Sequence, residues 1–195
     1  MRLFIAVRFP EHVLDALCRR QERLRAAAAQ GNFSRRENLH LTLAFLGDVP
    51  PSGISRIRRA MDAAAGPAFS ITIGGPGRFR GGRGDTLWLG IDAPPALYTL
   101  QDRLAAGLAD AGFRLEDRPF TPHLTIARTV ILRPGQELRR LCAADAPVSC
   151  PVHAISLMRS ERIGGVLTYT EIYGKELVHG GEKQPACTDR TGRDH

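Results

Sequence analysis

A chain of 195 residues, 43% hydrophobic and 24% charged, has ample apolar material for a core and too ordinary a charge content for wholesale disorder. Its 27 Lys and Arg outweigh 20 Asp and Glu, and the net charge of +7 suggests a polyanionic partner, the alternative being a generic solubility charge with no partner. Cys18, Cys142, Cys150 and Cys187 stand far apart with no Cys-x-x-Cys pair and no His at zinc-finger spacing, and no apolar run is long enough for a bilayer span or a signal peptide. A cytoplasmic chain with no membrane partner and no cofactor is expected.

Residues 2–8 are apolar and β-rich, and Pro10-Glu11 opens a helical pattern over 11–29 carrying Val13, Leu14, Leu17 and Leu24. Gly31-Asn32 is read as its end. A linker, Ser34-Arg35-Arg36-Glu37-Asn38, leads into an apolar strand over 39–46 that stops at Gly47-Asp48. A helix near 51–64 and an alternating strand over 69–73 follow. The segment 74–85 is rich in Gly and Arg, and it reads as a mobile hairpin loop in which Arg78, Arg80 and Arg83 meet phosphates.

Strand, helix and strand then recur: 86–91, a helix over 96–112 opened by Pro94-Pro95, and a strand over 121–128. Two further strands, 152–158 and 166–172, flank a turn at Arg162-Ile163-Gly164-Gly165. The polar stretch after residue 180 predicts a disordered tail.

The repeat carries a motif. His40-Leu41-Thr42-Leu43-Ala44 and His123-Leu124-Thr125-Ile126-Ala127 each place an imidazole and a hydroxyl at i and i+2 of a strand, hence on one face. The histidines lie 83 residues apart and the strands before them, at Arg2-Leu3 and Thr86-Leu87, lie 84 apart, so one offset aligns strand, helix and motif. The fold class expected is α+β: a bilobal pseudo-twofold duplication in which two mixed or antiparallel sheets line a central cleft, with helices outside. The lobes are placed at about 1–84 and 85–180 of a single domain, with strand exchange between them allowed, and 181–195 as tail.

Two histidines facing one cleft can divide acid–base work, one taking a proton from an attacking water and the other protonating the departing oxygen. Thr42 and Thr125 would donate hydrogen bonds to phosphoryl oxygens. Neither motif has a second ligand at metal spacing, so a metal-free site is expected.

On these residues the chain resembles the two-histidine (2H) phosphoesterases, specifically the RNA 2′,3′-cyclic phosphodiesterases first known as 2′-5′ RNA ligases. The likeness includes Arg2-Leu3-Phe4-Ile5-Ala6-Val7, Glu37-Asn38-Leu39-His40-Leu41-Thr42-Leu43, Phe45-Leu46-Gly47 and the run from Arg118 to Arg128. Ser156-Leu157-Met158-Arg159-Ser160 with Gly165 and Tyr169 resembles the family's C-terminal hairpin. The resemblance implies hydrolysis of an RNA 2′,3′-cyclic phosphate to a 2′-phosphomonoester without metal. It implies His123 as base, His40 as acid, Thr42 and Thr125 as substrate-binding hydroxyls and Arg128 as a phosphate contact. Phe33 stands where relatives often carry a tryptophan. RNA ends or small cyclic nucleotides are the expected partners of a monomer with no obligatory protein partner. The competing readings are 2′-5′ RNA end ligation, a phosphodiesterase for small cyclic nucleotides, and a non-catalytic module that binds RNA ends.

Overall fold

The computed structural model describes residues 1–143 and 145–178; the expected tail over 181–195, and Cys187 with it, lies outside these. In chain order the elements are β1 (Arg2–Arg8), α1 (Glu11–Ala27), β2 (Ala28–Phe33), β3 (His40–Asp48), α2 (Ile54–Ala64), β4 (Phe69–Phe79), β5 (Asp85–Asp92), α3 (Pro95–Asp110), β6 (His123–Leu132), α4 (Leu138–Leu141), β7 (Val148–Val152), β8 (Ala154–Ile163) and β9 (Val166–Glu176). The described strands form a four-stranded sheet ordered β3-β1-β8-β9 and a five-stranded sheet ordered β2-β6-β5-β4-β7. Every pairing within them is antiparallel.

The duplication is visible in the local geometry. Pro10 and Pro94 precede α1 and α3 with almost the same backbone, φ −69 and ψ 160 against φ −68 and ψ 161. A proline there starts a helix cheaply, because its missing N–H would have had no intrahelical partner. In the sheets, β1 is flanked by β3 and β8 just as β5 is flanked by β6 and β4. The fourth strand of each half has therefore crossed over: β4 joins the sheet of β5, and β8 joins the sheet of β1. The sheets do not follow the two halves of the sequence, for residues 84 and 85 lie at the hairpin joining β4 to its own neighbour β5.

Each sheet turns one face to the helices and one to the motifs. On β1, Leu3, Ile5 and Val7 enter a core cluster that also holds Leu41, Leu43, Leu87, Leu89, Leu124, Ile126 and the helix residues Leu17, Ile57, Met61 and Leu104. The opposite face of the same strand carries Phe4 and Ala6, which pack with Met158 and Tyr169 in a second, smaller cluster. Burial on both faces explains why β1 reads as an unbroken apolar run. Among the described residues no helix is long and apolar enough to cross a membrane.

Two local expectations need correction. The helix expected to reach residue 29 ends at Ala27, and Ala28–Phe33 instead pairs with β6. The alanines favour helix locally, but the backbone bonds of an edge strand on β6 override that weak preference. The segment 74–85 is not a loop throughout, since Pro76, Gly77, Arg78 and Phe79 pair with Leu89, Trp88, Leu87 and Thr86. Gly77 stands against the face of Trp88, where an added Cβ would fall 2.2 Å from the indole. A glycine that looks like a loop former in sequence is here a strand residue cleared for a large neighbour.

Candidate active site

His40 opens β3 and pairs across the sheet with Arg8. Its Nδ1 lies 2.7 Å from the Asn38 carbonyl oxygen. A carbonyl can only accept, so Nδ1 carries the hydrogen and Nε2 is left as the nitrogen that gains or loses a proton. Thr42 Oγ1 sits 3.0 Å from that Nε2. Phe4 lies 4.8 Å from the imidazole, ring centre to ring centre, and Tyr169 meets it edge-on at 5.3 Å. Asn38 is itself buried, and its amide donates to the Leu167 carbonyl at 2.9 Å, which fastens β9 to the start of β3. Burial pushes the His40 pKa below its ordinary 6.5; the bond to the Asn38 carbonyl opposes this, and the charge of Arg128 adds to it.

His123 opens β6 in the same way. Its Nδ1 donates to the Thr121 carbonyl at 2.8 Å, again two residues back, so its tautomer is set by the same device. Trp88 and Phe79 stand around it, at 6.0 and 5.6 Å between ring centres. Among the described residues Thr125 makes no hydrogen bond to His123, unlike Thr42 with His40. The buried Gln21 of α1 donates to the Ser34 carbonyl at 2.9 Å and to the Ile126 carbonyl at 2.7 Å, tying the linker after β2 to the strand that carries Thr125. Ser34 N–H completes the seam by donating to the Ile126 carbonyl at 2.9 Å.

The two motifs belong to different sheets, yet β3 and β6 approach each other. Arg128, on β6, lies near enough to act on His40 and on Tyr169 of the other sheet. The strands that carry His40 and Thr42, and His123, Thr125 and Arg128, thus run close to each other. Arg128 is exposed where strict alternation after His123 and Thr125 would turn it inward. Both neighbours of β6 record an extra residue there, Ala127 and Val130 pairing with Leu87 and Asp85, and Arg128 and Ile131 with Asn32 and Gln30. The bulge places Thr129 at φ 51, where its hydroxyl accepts from the Asn32 amide at 3.0 Å. A β-branched residue with positive φ is strained, and bulges beside sites re-aim side chains.

Of the basic loop, Arg78 pairs with Asp85 at 3.3 Å, while Arg80 and Arg83 are exposed. Phe33 is covered by Arg25, whose guanidinium lies 4.8 Å over its ring. The aromatic partners Phe4, Trp88 and Phe79, and the role of Asn38, were missed from sequence. Phe4 and Trp88 stand 84 residues apart, so the repeat offset already carried the signal for that pair.

With tautomers fixed by backbone carbonyls, each imidazole can give or take a proton at Nε2, and the threonine beside it can bind an oxygen of an anion held between the strands. Comparisons with known proteins identify the relatives of the chain. Residues 13–164 match the model of the 2′-5′ RNA ligase superfamily. The RNA 2′,3′-cyclic phosphodiesterase of Methanothermobacter thermautotrophicus is 36% identical over 178 residues, covering 88% of this chain and 96% of that protein. The protein of the same name from Thermus thermophilus is 30% identical over 206 residues and the full length of both. Among solved structures, E. coli LigT complexed with 3′-AMP superposes with a TM-score of 0.76 at 27% identity, covering 91% of this chain and 98% of that one. The chain belongs to the 2′-5′ RNA ligase superfamily, the two-histidine phosphoesterases.

Proposed function

We propose that this chain hydrolyses RNA 2′,3′-cyclic phosphate ends to 2′-phosphomonoesters, with His40 and His123 as its acid–base pair. The observation that carries the reading is the matched pair of His-x-Thr strands, each imidazole held by a carbonyl two residues back, on two strands that approach each other. The relatives named for this reaction support the substrate. A water oxygen bonds to phosphorus while the bond from phosphorus to the 3′ oxygen breaks; the base takes the water proton and the acid delivers one to the 3′ oxygen. Thr42, Thr125 and Arg128 bind the non-bridging oxygens, whose charge shifts in the transition state.

The resemblance implies His123 as base and His40 as acid. The reverse assignment, with His40 as base, draws on the lowered His40 pKa, which burial and Arg128 cause by disfavouring the charged form. A substrate with sulfur in place of the 3′ bridging oxygen separates the two, because a thiolate leaves without protonation. Activity on it returns in whichever of His40→Ala and His123→Ala has lost the acid. The reading as a whole is tested by incubating an oligonucleotide 2′,3′-cyclic phosphate with the protein in chelator; formation of the 2′-phosphomonoester is expected, and no product would overturn it.

A further inference from the structure

Arg8 ends β1 opposite His40 in the register, and directly opposed residues of an antiparallel pair share a face. Alternation says the same. Leu3, Ile5 and Val7 enter the large core, Phe4 and Ala6 the small cluster on the other side, and Arg8 follows Phe4 and Ala6. From there its side chain runs across the sheet to β9, where Nη1 donates to Glu171 Oε2 at 2.6 Å. Glu171 Oε1 in turn accepts from the hydroxyl of the buried Ser156 at 2.7 Å. Ser156 is the register partner of Ala6, so this chain of polar groups lies on the face that carries His40. The acid–base pair and its threonines make no use of it. Among the described residues only Nη1 of Arg8 is engaged, which leaves the donors on Nε and Nη2 free, and the side chain is 59% exposed.

An exposed guanidinium one strand from the imidazole, with one nitrogen held by a carboxylate and donors to spare, suits an anion that lies beside the reacting phosphate. We propose that Arg8 binds a second phosphate of the substrate, the one on the 5′ oxygen of the nucleotide that carries the cyclic ester. This rests on the phosphodiesterase reading. Side chains directly opposed across two strands stand about 4.5–5.5 Å apart at Cβ, so the long side chain of Arg8 works about one sugar away from a phosphorus at His40. The 5′ oxygen is carried on C5′, attached to C4′ next to C3′ of the cyclic ester, and one ribose spans the two phosphates. In a mononucleotide this group is a 5′-phosphomonoester, and in an RNA it is the phosphodiester to the preceding nucleotide. Glu171 does not close the site, because an exposed ion pair contributes little and its single bond leaves the rest of the guanidinium open. The other half of the repeat has no equivalent. Asp92 stands 84 residues after Arg8, and its charge repels a phosphate, so the second phosphate belongs on the β1 side and gives the substrate a direction.

The test uses three esters: adenosine 2′,3′-cyclic phosphate, the same ester with a 5′-phosphate, and the dinucleotide ApA ending in a 2′,3′-cyclic phosphate. Arg8→Gln is expected to raise KM about tenfold for the two esters that carry a second phosphate, with kcat held within a few-fold, and to leave the first ester unchanged. Arg8→Lys keeps the charge and should recover part of the loss. Arg59→Gln removes an exposed cation of α2 and should change none of the three. A loss confined to the 5′-phosphorylated ester supports the site with a terminal phosphate as its ligand, and a loss confined to the dinucleotide supports it with the RNA chain as its ligand. Equal change on all three esters, no change on any, or the same pattern in Arg59→Gln overturns it. If the wild type hydrolyses none of them, the phosphodiesterase reading fails, and calorimetry with adenosine 2′,5′-bisphosphate and adenosine 2′-phosphate still decides the role of Arg8. Tighter binding of the bisphosphate that is lost in Arg8→Gln supports it; equal affinity for the two, or an advantage retained in Arg8→Gln, overturns it.

Discussion

The two halves of the cleft use the same parts and end in different states. Around His40 the aromatic neighbours are closed: Phe4 and Tyr169 pack on the imidazole and on each other, and Thr42 already bonds Nε2. Around His123 they are open, with Phe79 exposed and Thr125 unengaged with the imidazole. The difference comes from which strand supplies the second ring. For His40 it is β9, drawn over the cleft by the bond from Asn38 to Leu167; for His123 it is the end of β4, where the chain turns away to β5. A duplicated motif thus yields one imidazole built into the wall and one that faces the entrance.

Removing either imidazole should have the largest effect and should also expose this difference. His40→Ala and His123→Ala are each expected to lose at least about a hundredfold in kcat on a cyclic phosphate. Only His40→Ala should also lower the melting temperature, because it empties a packed position between Phe4 and Tyr169. Equal melting temperatures for the two variants would mean that the two sides are packed alike.

Gly77→Ala tests the open side. Its Cβ would overlap the Trp88 indole at 2.2 Å, so the ring must move. The expected result is altered tryptophan fluorescence, a destabilisation of about 1–3 kcal/mol and roughly a tenfold loss of activity. Gly75→Ala on the same strand, with nothing within 4 Å of the new methyl, should leave all three unchanged. Asn38→Asp tests the closed side. It removes the donor to the Leu167 carbonyl while keeping the shape, and about 1–3 kcal/mol of stability should be lost in denaturant titrations. A near-neutral result would show that β9 is held over His40 by packing alone.

How much of this could be read in the sequence follows from how far each feature depends on distant chain. The histidines and threonines were legible because a period of two and a single repeat offset are local patterns. Phe4 and Trp88 obey the same offset and were legible in principle. Tyr169 could be named only as part of a familiar hairpin, and Phe79 not at all. Both reach their imidazoles on strands paired far along the sheet from the motif, β9 beyond β8 and β4 beyond β5, and such pairing leaves no trace in local periodicity. β2 was hidden for a related reason: its alanines prefer helix, and only the presence of β6 makes them a strand. The bulge at Thr129 was invisible because threonine is among the last residues that local preference would place at positive φ.

That bulge leads to the smallest and most specific expectation. Residue 45 of β3 and residue 128 of β6 occupy matching places in the repeat, five positions after their histidines, and hold Phe and Arg. At this position of the repeat only β6 carries a cation, and Arg128 acts on the closed imidazole. Burial disfavours charged His40, the Asn38 carbonyl favours it, and Arg128 disfavours it again, leaving the pKa below 6.5. Arg128→Gln removes only the last of these, so the His40 pKa should rise toward its ordinary value in an NMR titration and still stay below it, because burial remains. The sign carries over to catalysis. If His40 is the base, its protonation sets the acid limb of the pH profile in kcat/KM, and that limb should move to higher pH in Arg128→Gln, with activity falling sooner on acidification. If His40 is the acid, its deprotonation sets the alkaline limb, and that limb is the one that should move upward. One substitution at the asymmetric position thus reports which histidine takes the proton.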